Sequence, residues 1–338
     1  MKAFITAEFH ESGVEILKPF MKVHCEGWRT THRIYFDGEE FAQKINEVGA
    51  DVLIVEADLV HEEVFSSCNL KIIGCCRGDP LNVMADIASQ KGIPILYTPG
   101  RNADAVADLT LGFMLCLARN IVLVRNLLSS GKMQFESEKD ILAVYNTYGG
   151  FELGGSTIGL LGLGAVGRKV AQRLRAFGAR ILVHDPYVDQ EVLKDLNAEP
   201  VSLEELVQRS DILSLHAALT DQTHRILGKD LIGRMKPTAY IVNTARSFLI
   251  DEKALLAALK EGTIAGAAFD LLDQEPVRED NPFLGLENVI VTPHIGGATR
   301  DVVRHQSEMV ASDIVRYLQG ERPRYIWNPE VLTKGVSS

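Results

Sequence analysis

The sequence has little cysteine and lacks a long apolar run. Five cysteines, an odd number without metal-site spacing, are spread over 338 residues, so neither a disulfide framework nor a metal site is expected. No apolar segment approaches the length of a membrane span, and the N-terminal run Met1–Ala7 stops at Glu8, too short for the core of a signal peptide. We therefore expect no membrane partner and a cytoplasmic protein with reduced thiols.

Positive charge is also scarce. Acidic residues outnumber basic ones by 45 to 35, which gives a formal net charge of -10 and a pI near 5.4. No basic cluster offsets this balance, so we expect no nucleic-acid partner held by phosphate contacts. Repeats and low-complexity tracts are also lacking, which argues against solenoids and disordered segments. The length and the 46% hydrophobic composition suit a globular protein of two domains.

Short apolar runs alternate with helical patterns in both halves of the chain. Such alternation predicts an α/β fold with two Rossmann-like or flavodoxin-like parallel-sheet domains. The predicted strands number four in the first half and six in the second: Ala3–Thr6, Val52–Val55, Ile72–Gly74, Ile95–Tyr97, Thr157–Leu161, Ile181–Val183, Ile212–Leu215, Ala239–Val242, Ile264–Phe269 and Val289–Val291.

The helical stretches between and after these strands set the predicted domain boundaries. A helical stretch is predicted over Gly38–Val48, between the first two strands. Apolar residues at helical spacing predict one long, largely buried helix over Asn102–Ser130. After Thr292 the pattern turns helical again over Ala298–Leu318, without a sheet of its own. This segment is expected to pack back on the N-terminal part. The prediction is a discontinuous first domain around a second one, with crossings near Pro99–Asn102 and Ile295–Thr299.

A glycine-rich turn between a strand and a helix predicts a dinucleotide site. Gly162, Gly164 and Gly167 follow the apolar run Thr157–Leu161, and they allow a tight turn, close approach of a pyrophosphate, and close helix packing. Amides at the helix start, including those of Ala165 and Val166, would face the phosphates. The next predicted strand ends at Asp185, whose carboxylate suits ribose hydroxyls and would repel the extra phosphate of NADP. The cofactor predicted is NAD.

Three further polar residues stand where predicted strands end. They are Arg246, Glu275 and His294, and ligands of open α/β sheets bind at the carboxyl ends of strands. Hydride transfer from a hydroxy acid needs an acid/base, a cation for the carboxylate and a group that stabilises the protonated base, which match histidine, arginine and glutamate. Taken singly, Arg246 could form a surface ion pair, Glu275 could be a helix N-terminal charge, and His294 could be a satisfied loop residue.

Together these motifs resemble the D-isomer-specific 2-hydroxyacid dehydrogenase family. The resemblance runs nearly end to end through the glycine turn and the stretches Leu215–Thr220, Val242–Arg246, Ala268–Asp270, Gln274–Pro276 and Thr292–Gly297. It implies that Arg246 binds and polarises a 2-oxo acid, that His294 is the acid/base, that Glu275 hydrogen-bonds His294, and that Asp270 holds the nicotinamide carboxamide. It also implies these further cofactor-binding residues: His216, Thr244, Ala245, Gly296 and Gly297.

The resemblance also implies a domain arrangement and an assembly. The discontinuous domain, residues 1–101 and 298–338, would bind the substrate and close over the nucleotide-binding domain of residues 102–297, and the latter would form a homodimer. Some longer phosphoglycerate dehydrogenases of the family carry an additional C-terminal regulatory domain. The sequence stops without one, so feedback control by serine is not expected.

The loop predicted to cradle the substrate departs from the family pattern. The stretch Cys75–Val83 stands where relatives commonly read Gly-x-Gly-x-Asp-Asn-Val-Asp, and we take Cys76, Arg77 and Gly78 as its substrate-binding residues. The hypothesis is that Arg77 contacts a second anion, such as a distal phosphate or carboxylate of a sugar-derived acid. The alternative is that Arg77 turns outward or pairs with Asp79. Glu8 and His10, after the first strand, are candidate specificity residues or else solvated loop residues.

Two other functions are compatible with the resemblance. Corepressors that resemble this family use dinucleotide binding to control assembly, and formate or phosphite dehydrogenases share the fold. The sequence carries no added peptide-recognition segment, which argues against a corepressor. Formate relatives place glutamine with the histidine, whereas this chain has Glu275, which favours carbonyl reduction. The sequence leaves the identity of the 2-hydroxy acid open.

Overall fold

The computed structural model describes residues 1–133 and 136–332. The chain divides into two compact units, one formed by Met1–Asn102 with Thr299–Ser338 and the other by Ala103–Ala298.

Both units alternate strands with helices. The strands of the described residues are Lys2–Ile5 (β1), Lys22–Cys25 (β2), Val52–Val55 (β3), Ile72–Cys75 (β4), Ile95–Tyr97 (β5), Thr157–Leu161 (β6), Arg180–His184 (β7), Ala198–Pro200 (β8), Ile212–Leu215 (β9), Tyr240–Asn243 (β10), Gly266–Phe269 (β11) and Val289–Val291 (β12). The α-helices are Glu11–Leu17 (α1), Trp28–Thr31 (α2), Gly38–Val48 (α3), Glu62–Ser67 (α4), Ala85–Gln90 (α5), Ala103–Ala118 (α6), Ile121–Ser129 (α7), Glu138–Tyr148 (α8), Ala165–Phe177 (α9), Gln190–Leu196 (α10), Leu203–Arg209 (α11), Lys229–Ile232 (α12), Glu252–Glu261 (α13) and Arg300–Leu318 (α14).

The first unit is a five-stranded sheet in the order β2-β1-β3-β4-β5, and every neighbouring pair is parallel. Apolar side chains of β1, β3 and β4 are buried on both faces of the sheet. The segment of α14 packs on one of those faces, where Val310 and Ile314 are fully buried. The predicted α/β class is confirmed here. The prediction missed β2, because this edge strand is only partly buried and its Lys22 and His24 break the apolar pattern.

The helices of the first unit begin and end at residues with recognisable capping chemistry. The carboxylate of Asp37 accepts a hydrogen bond from the backbone N–H of Glu40 at the start of α3. Gly49 ends the same helix with φ of +67°, a left-handed conformation in which glycine avoids the strain of a side chain. These two residues explain why the predicted helix Gly38–Val48 forms with the predicted bounds.

The second unit is a seven-stranded parallel sheet in the order β12-β11-β10-β9-β6-β7-β8. Its strands carry apolar residues on both faces, as expected of a parallel sheet covered by helices. The sequence predicts six of these strands. The seventh, β8, has only three residues and contains Pro200, so it lacks a strand signal and is tolerated only at the edge of the sheet.

The single helix predicted over Asn102–Ser130 is wrong. It is broken into α6, which is largely buried, and α7, none of whose residues is buried. The break falls at Asn120, whose φ of +52° is left-handed and whose side-chain amide donates to the Tyr148 carbonyl at 3.1 Å. Apolar spacing continues through this residue, so periodicity alone conceals the break.

The described residues contain no single helix with the length and apolarity to cross a membrane. Helices α6 and α7 meet those two conditions only as a pair, and the pair is bent by 64°.

Candidate active site

The candidate residues of the second unit follow its strands in spatial order along one edge of the sheet. From one side to the other, His294 follows β12, Asp270 and Glu275 follow β11, Arg246 follows β10, His216 follows β9, Gly162 follows β6, and Asp185 follows β7. The strands are parallel, so all these residues leave the sheet at its carboxyl edge. Chain order reverses between β6 and β9, and such a switch point is where open α/β sheets bind ligands.

The glycine turn lies at this switch point. Gly162 has φ of +91°, and a Cβ atom there would lie 2.6 Å from the backbone nitrogen of Ala217. A Cβ atom on Gly167 would lie 2.7 Å from the carbonyl oxygen of Gly162. Gly164, by contrast, is exposed at the start of α9, and a Cβ atom there would meet nothing within 4 Å. Two glycines therefore permit the packing, and the third leaves open space over the first turn of the helix.

Asp185 supports the same turn from the next strand. One carboxylate oxygen accepts the backbone N–H of Leu163 at 2.7 Å, and the other accepts that of Tyr187 at 2.9 Å. A carboxylate oxygen has two acceptor positions, so each oxygen keeps one for a further donor. Asp185 is partly exposed, which leaves it accessible to hydroxyl groups.

His216 packs against the glycine turn from β9. Its Nε2 lies 2.9 Å from the Ser214 hydroxyl, while its Nδ1 is buried without a hydrogen-bond partner. Burial lowers the pKa of His216 to about 4, because a charged imidazolium is poorly solvated there. The ring is therefore neutral at physiological pH, and its buried Nδ1 is an unsatisfied polar atom of a residue whose backbone and Cβ lie next to Gly162 and Gly167.

Arg246 leaves β10 through a hydrogen-bonded turn. The side-chain amide of Asn243 donates to the Arg246 carbonyl at 2.9 Å, and its oxygen accepts the N–H of Ala245 at 3.0 Å. The guanidinium donates to the Ala245 carbonyl at 2.7 Å and is exposed. Within the described residues it has no ion-pair partner. Thr244 is buried, and its hydroxyl lies 2.8 Å from that of Thr110 on α6.

Glu275 and His294 are brought into direct contact. The Nδ1 atom of His294 lies 3.0 Å and 3.2 Å from the two carboxylate oxygens of Glu275. The His294 side chain is 58% exposed and the Glu275 side chain is 41% exposed, so both are accessible to solvent and ligands. Glu275 belongs to a loop rather than a helix. The contact uses one imidazole nitrogen and leaves Nε2 directed elsewhere.

Asp270 fastens the loop that carries His294. Its buried carboxylate accepts hydrogen bonds from the Thr292 hydroxyl at 2.6 Å and from the backbone N–H groups of Ile295 and Gly296 at 2.8 Å and 2.7 Å. The N–H of His294 donates to the Asp270 carbonyl at 2.7 Å, and His294 has φ of +54°. Sequence reasoning missed this use of Asp270, and its contact with a nicotinamide carboxamide stays a prediction.

The three predicted substrate-binding residues of the first unit differ in accessibility. Cys76 is fully buried, and its N–H donates to the Val55 carbonyl. Arg77 and Gly78 are exposed. Within the described residues Arg77 has no ion pair, with Asp79 or with another acid, so its charge stays uncompensated by a direct partner.

The adjacent thiols of Cys75 and Cys76 are buried at the end of β4. Burial raises the pKa of Cys75 to about 12 and that of Cys76 well above its usual range. Both thiols are therefore protonated and poor nucleophiles at neutral pH.

Comparisons with known proteins agree with this geometry. The model of the D-isomer-specific 2-hydroxyacid dehydrogenase NAD-binding domain matches residues 111–296. The chain is 37% identical to D-3-phosphoglycerate dehydrogenase of Methanocaldococcus jannaschii over 97% of its own length and 59% of that enzyme. It is 32% identical to glyoxylate reductase of Korarchaeum cryptofilum over 98% of its own length and 97% of the reductase.

The chain belongs to the D-isomer-specific 2-hydroxyacid dehydrogenase family. Solved structures show the same architecture. The TT0316 protein of Thermus thermophilus superposes with a TM-score of 0.78 at 31% identity, covering 97% of this chain and all of that protein. The apo structure of Escherichia coli D-lactate dehydrogenase superposes with a TM-score of 0.75 at 25% identity, again covering 97% of this chain and all of the other.

As a D-2-hydroxyacid dehydrogenase, the chain is an NAD-dependent oxidoreductase. The second unit fits this cofactor. The space over Gly164 and the first-turn amides of α9 suit a pyrophosphate, and the unused acceptor positions of Asp185 suit ribose hydroxyls. The buried, unpartnered Nδ1 of His216 beside the turn adds a polar atom that a bound ligand or water can satisfy.

Proposed function

We propose that Arg246, Glu275 and His294 catalyse reversible hydride transfer between NAD and a small 2-hydroxy acid. The second unit would hold the cofactor, and the first would bind the substrate. The observation that carries the proposal is the hydrogen bond between His294 and Glu275 on the same sheet edge as the glycine turn. When bound, the nicotinamide takes up or returns the hydride.

His294 is the general acid and base of the proposed reaction. Its Nδ1 is occupied by Glu275, so Nε2 is the atom that accepts the hydroxyl proton in oxidation and returns it to the oxygen in reduction. The Glu275 carboxylate stabilises the imidazolium formed in oxidation. The four hydrogen bonds from the loop to Asp270, through its carboxylate and its carbonyl, keep the imidazole in place.

Arg246 contacts the carboxylate and the carbonyl oxygen of the substrate in the proposed reaction. Its guanidinium is exposed, lacks an ion-pair partner among the described residues, and follows a turn in which the Asn243 side chain makes two hydrogen bonds. A guanidinium presents a planar fork of donors that matches a carboxylate, and it stabilises negative charge on an adjacent carbonyl oxygen. Arg246 therefore binds the 2-oxo acid and polarises the bond that is reduced.

The test is oxidation of NADH with a panel of 2-oxo acids, including glyoxylate, hydroxypyruvate, pyruvate and phosphorylated sugar-derived acids. We expect turnover with at least one class. A His294→Asn variant should lose about 100-fold to 10,000-fold in kcat while still binding NADH. A Glu275→Gln variant should lower kcat with the same acid while still binding NADH, because a neutral amide forms a weaker hydrogen bond with the imidazole than a carboxylate does.

NADH binding without turnover across the panel would contradict the proposal. That result would favour the nucleotide-sensing alternative, in which dinucleotide binding controls assembly. Formate and phosphite are included as hydride donors to NAD. Turnover with either of them, but with none of the 2-oxo acids, would indicate the formate-type alternative instead.

Arg77 of the first unit is proposed to supply a second contact to an anion of the substrate. Its exposed and unpaired charge supports this role. We expect Arg77→Ala to raise KM for the preferred 2-oxo acid about tenfold, the value of a hydrogen bond to a charged group, with a smaller effect on kcat. The Arg77→Lys variant, which keeps the charge, should recover part of the loss. An unchanged KM in Arg77→Ala would contradict the role.

A homodimer formed through the second unit is also part of the proposal. Helices α7 and α8 contain no buried residue in the single chain. Their exposed apolar side chains are Ile121, Leu128, Ile141, Leu142 and Tyr145. A groove of about 740 Å³ also lies between these helices. Exposed apolar surface of this kind marks protein interfaces.

A cytoplasmic location completes the proposal. The five cysteines are all unpaired, including the buried Cys75 and Cys76. Unpaired thiols are typical of proteins kept in a reducing compartment.

A further inference from the structure

A charged pair lies at the carboxyl edge of the first unit's sheet and is not used in the proposed reaction. Glu56 follows β3 and Arg101 follows β5. In the order β2-β1-β3-β4-β5 the chain reverses between β1 and β3, and ligands of such sheets bind at this switch point. Glu56 lies there, because its Oε2 atom accepts the backbone N–H of Glu8, which follows β1, at 3.2 Å.

Both charged groups are held by neutral partners. The Oε2 atom of Glu56 also accepts the indole N–H of Trp28 at 3.1 Å. Nη1 of Arg101 donates to the side-chain oxygen of Gln306 at 2.5 Å. Gln306 is fully buried, and its amide nitrogen donates to the Glu8 carbonyl at 2.8 Å. The carboxylate and the guanidinium are thus positioned before a ligand binds, which lowers the entropy cost of binding.

The two groups approach each other without forming a hydrogen bond. Oε1 of Glu56 and Nη1 of Arg101 are 3.8 Å apart, beyond hydrogen-bond distance. The Glu56 and Arg101 side chains are 18% and 20% exposed, so they are recessed but accessible. A hydroxyl group that approaches both atoms from one side can bridge them, because it donates to the carboxylate and accepts from the guanidinium at the same time.

Other substrate groups fit this pair less well. A methyl group would exclude water from Oε1 of Glu56 and from the facing guanidinium without offering either a hydrogen bond, which costs their desolvation. A phosphate dianion has only acceptors to offer the carboxylate and would be repelled by it. The neighbouring Glu8 adds a second negative charge at the switch point, its Oε1 atom accepting the N–H of Arg29 at 2.7 Å.

We propose that Glu56 and Arg101 bind a hydroxyl group on the carbon chain of the substrate. The enzyme therefore acts on polyhydroxylated, sugar-derived 2-hydroxy acids in preference to phosphorylated ones. This inference rests on the proposed dehydrogenase function. Arg77 then serves a carboxylate of the acid rather than a distal phosphate.

The experiment compares kcat/KM of the wild-type enzyme for three matched 2-oxo acids with saturating NADH. These are 3,4-dihydroxy-2-oxobutanoate, its 4-phosphate, and 2-oxobutanoate, which lacks both hydroxyl groups. We expect the dihydroxy acid to exceed each of the others at least tenfold, because a site built to bind a hydroxyl rejects an analogue without one. Equal values for the dihydroxy and deoxy acids, or a preference for the phosphate, would overturn the inference.

Variants then assign the preference to residues. Glu56→Gln keeps the shape of the side chain but removes its charge, and should lower the ratio of kcat/KM for the dihydroxy acid over 2-oxobutanoate about tenfold. Arg101→Lys tests the partner and replaces the first variant if that one does not fold. The control Glu62→Gln removes an exposed carboxylate from α4 and should keep the wild-type ratio.

The outcomes separate this inference from the function on which it rests. Unchanged ratios in folded Glu56→Gln and Arg101→Lys enzymes would mean that the pair is structural and bridged by water, and would overturn the inference alone. Turnover of 2-oxo acids without any hydroxyl preference would do the same. No turnover of any 2-oxo acid by an enzyme that binds NADH would overturn both.

Discussion

The protonation state of His216 is set by burial. A neutral ring beside the glycine turn presents a donor or an acceptor without placing a positive charge in the core. Its environment contrasts with that of His294, which is exposed and contacts a carboxylate. Two histidines of one sheet edge are therefore suited to different tasks, one to packing beside the cofactor turn and the other to proton transfer.

The low pKa of His216 makes the folded protein sensitive to acid. The folded-state pKa is about 4, below the ordinary value near 6.5, so the unfolded chain binds the proton more readily. The contribution of His216 to the free energy of unfolding is therefore fully present above about pH 6.5. It is lost as the pH falls towards 4 and changes no further below that. Between pH 7 and pH 5 this titration lowers the free energy of unfolding by about 2 kcal/mol.

Urea unfolding at pH 7 and pH 5 measures this effect. The His216→Gln variant, which cannot titrate at this position, should lose about 2 kcal/mol less than the wild type over the interval. All other titrating groups are common to both proteins and cancel in the comparison. Equal losses in the two proteins would show that the His216 ring titrates normally in the folded state.

At the scale of elements, the glycine turn shows how strand, turn and helix depend on backbone space. Gly162 and Gly167 contact backbone atoms so closely that a side chain would have to displace them, whereas Gly164 has open space before it. The same short motif therefore contains two packing positions and one position with open space, which we propose for the ligand. Substitution by alanine separates these roles.

We expect Gly162→Ala to destabilise the protein by about 2–4 kcal/mol, through strain at positive φ and the contact with Ala217. Gly164→Ala should change stability by less than about 0.5 kcal/mol and yet weaken NADH binding about tenfold or more, because its methyl group would occupy the space that we propose for the pyrophosphate. Urea unfolding and NADH fluorescence titration measure the two effects. A Gly164→Ala enzyme with wild-type NADH affinity would place the pyrophosphate elsewhere.

The helices and strands also show where sequence patterns are sufficient to predict the bounds of an element. The predicted helix over Gly38–Val48 has the observed bounds, because its capping residues are local. The predicted helix over Asn102–Ser130 is wrong, because its break depends on one left-handed residue, Asn120, inside a continuous apolar pattern. The strands β2 and β8 were missed, because edge strands are held by hydrogen bonds to a neighbour rather than by burial.

At the scale of the whole molecule, the apolar surface of α7 and α8 is the feature that a single chain leaves unexplained. Leu142 and Tyr145 are 67% and 76% exposed. If the homodimer forms there, the mass in solution is twice 37.2 kDa, which is 74.4 kDa. The double variant Leu142→Glu/Tyr145→Glu should shift the protein towards 37.2 kDa, since it places charges in an apolar interface.

Light scattering coupled to size-exclusion chromatography measures these masses. Phe36→Glu is the matched control, since Phe36 is an exposed apolar residue of the first unit, 63% accessible, outside the proposed interface. We expect it to keep the dimer mass. A dimer that survives the double variant but is lost in the control would move the interface to the first unit.

The sequence by itself determined the parallel α/β class, the family, the cofactor and the set of polar residues that follow strands. These depend on local periodicity, on glycine chemistry and on the rule that parallel strands share a carboxyl edge. Only the tertiary structure decided which side chains touch. The tertiary structure brings Asp270 to the loop of His294 and Glu56 to Arg101, although these residues are distant in sequence. It also buries Nδ1 of His216 without a hydrogen-bond partner. Such contacts depend on strand order and on desolvation, which local patterns do not encode.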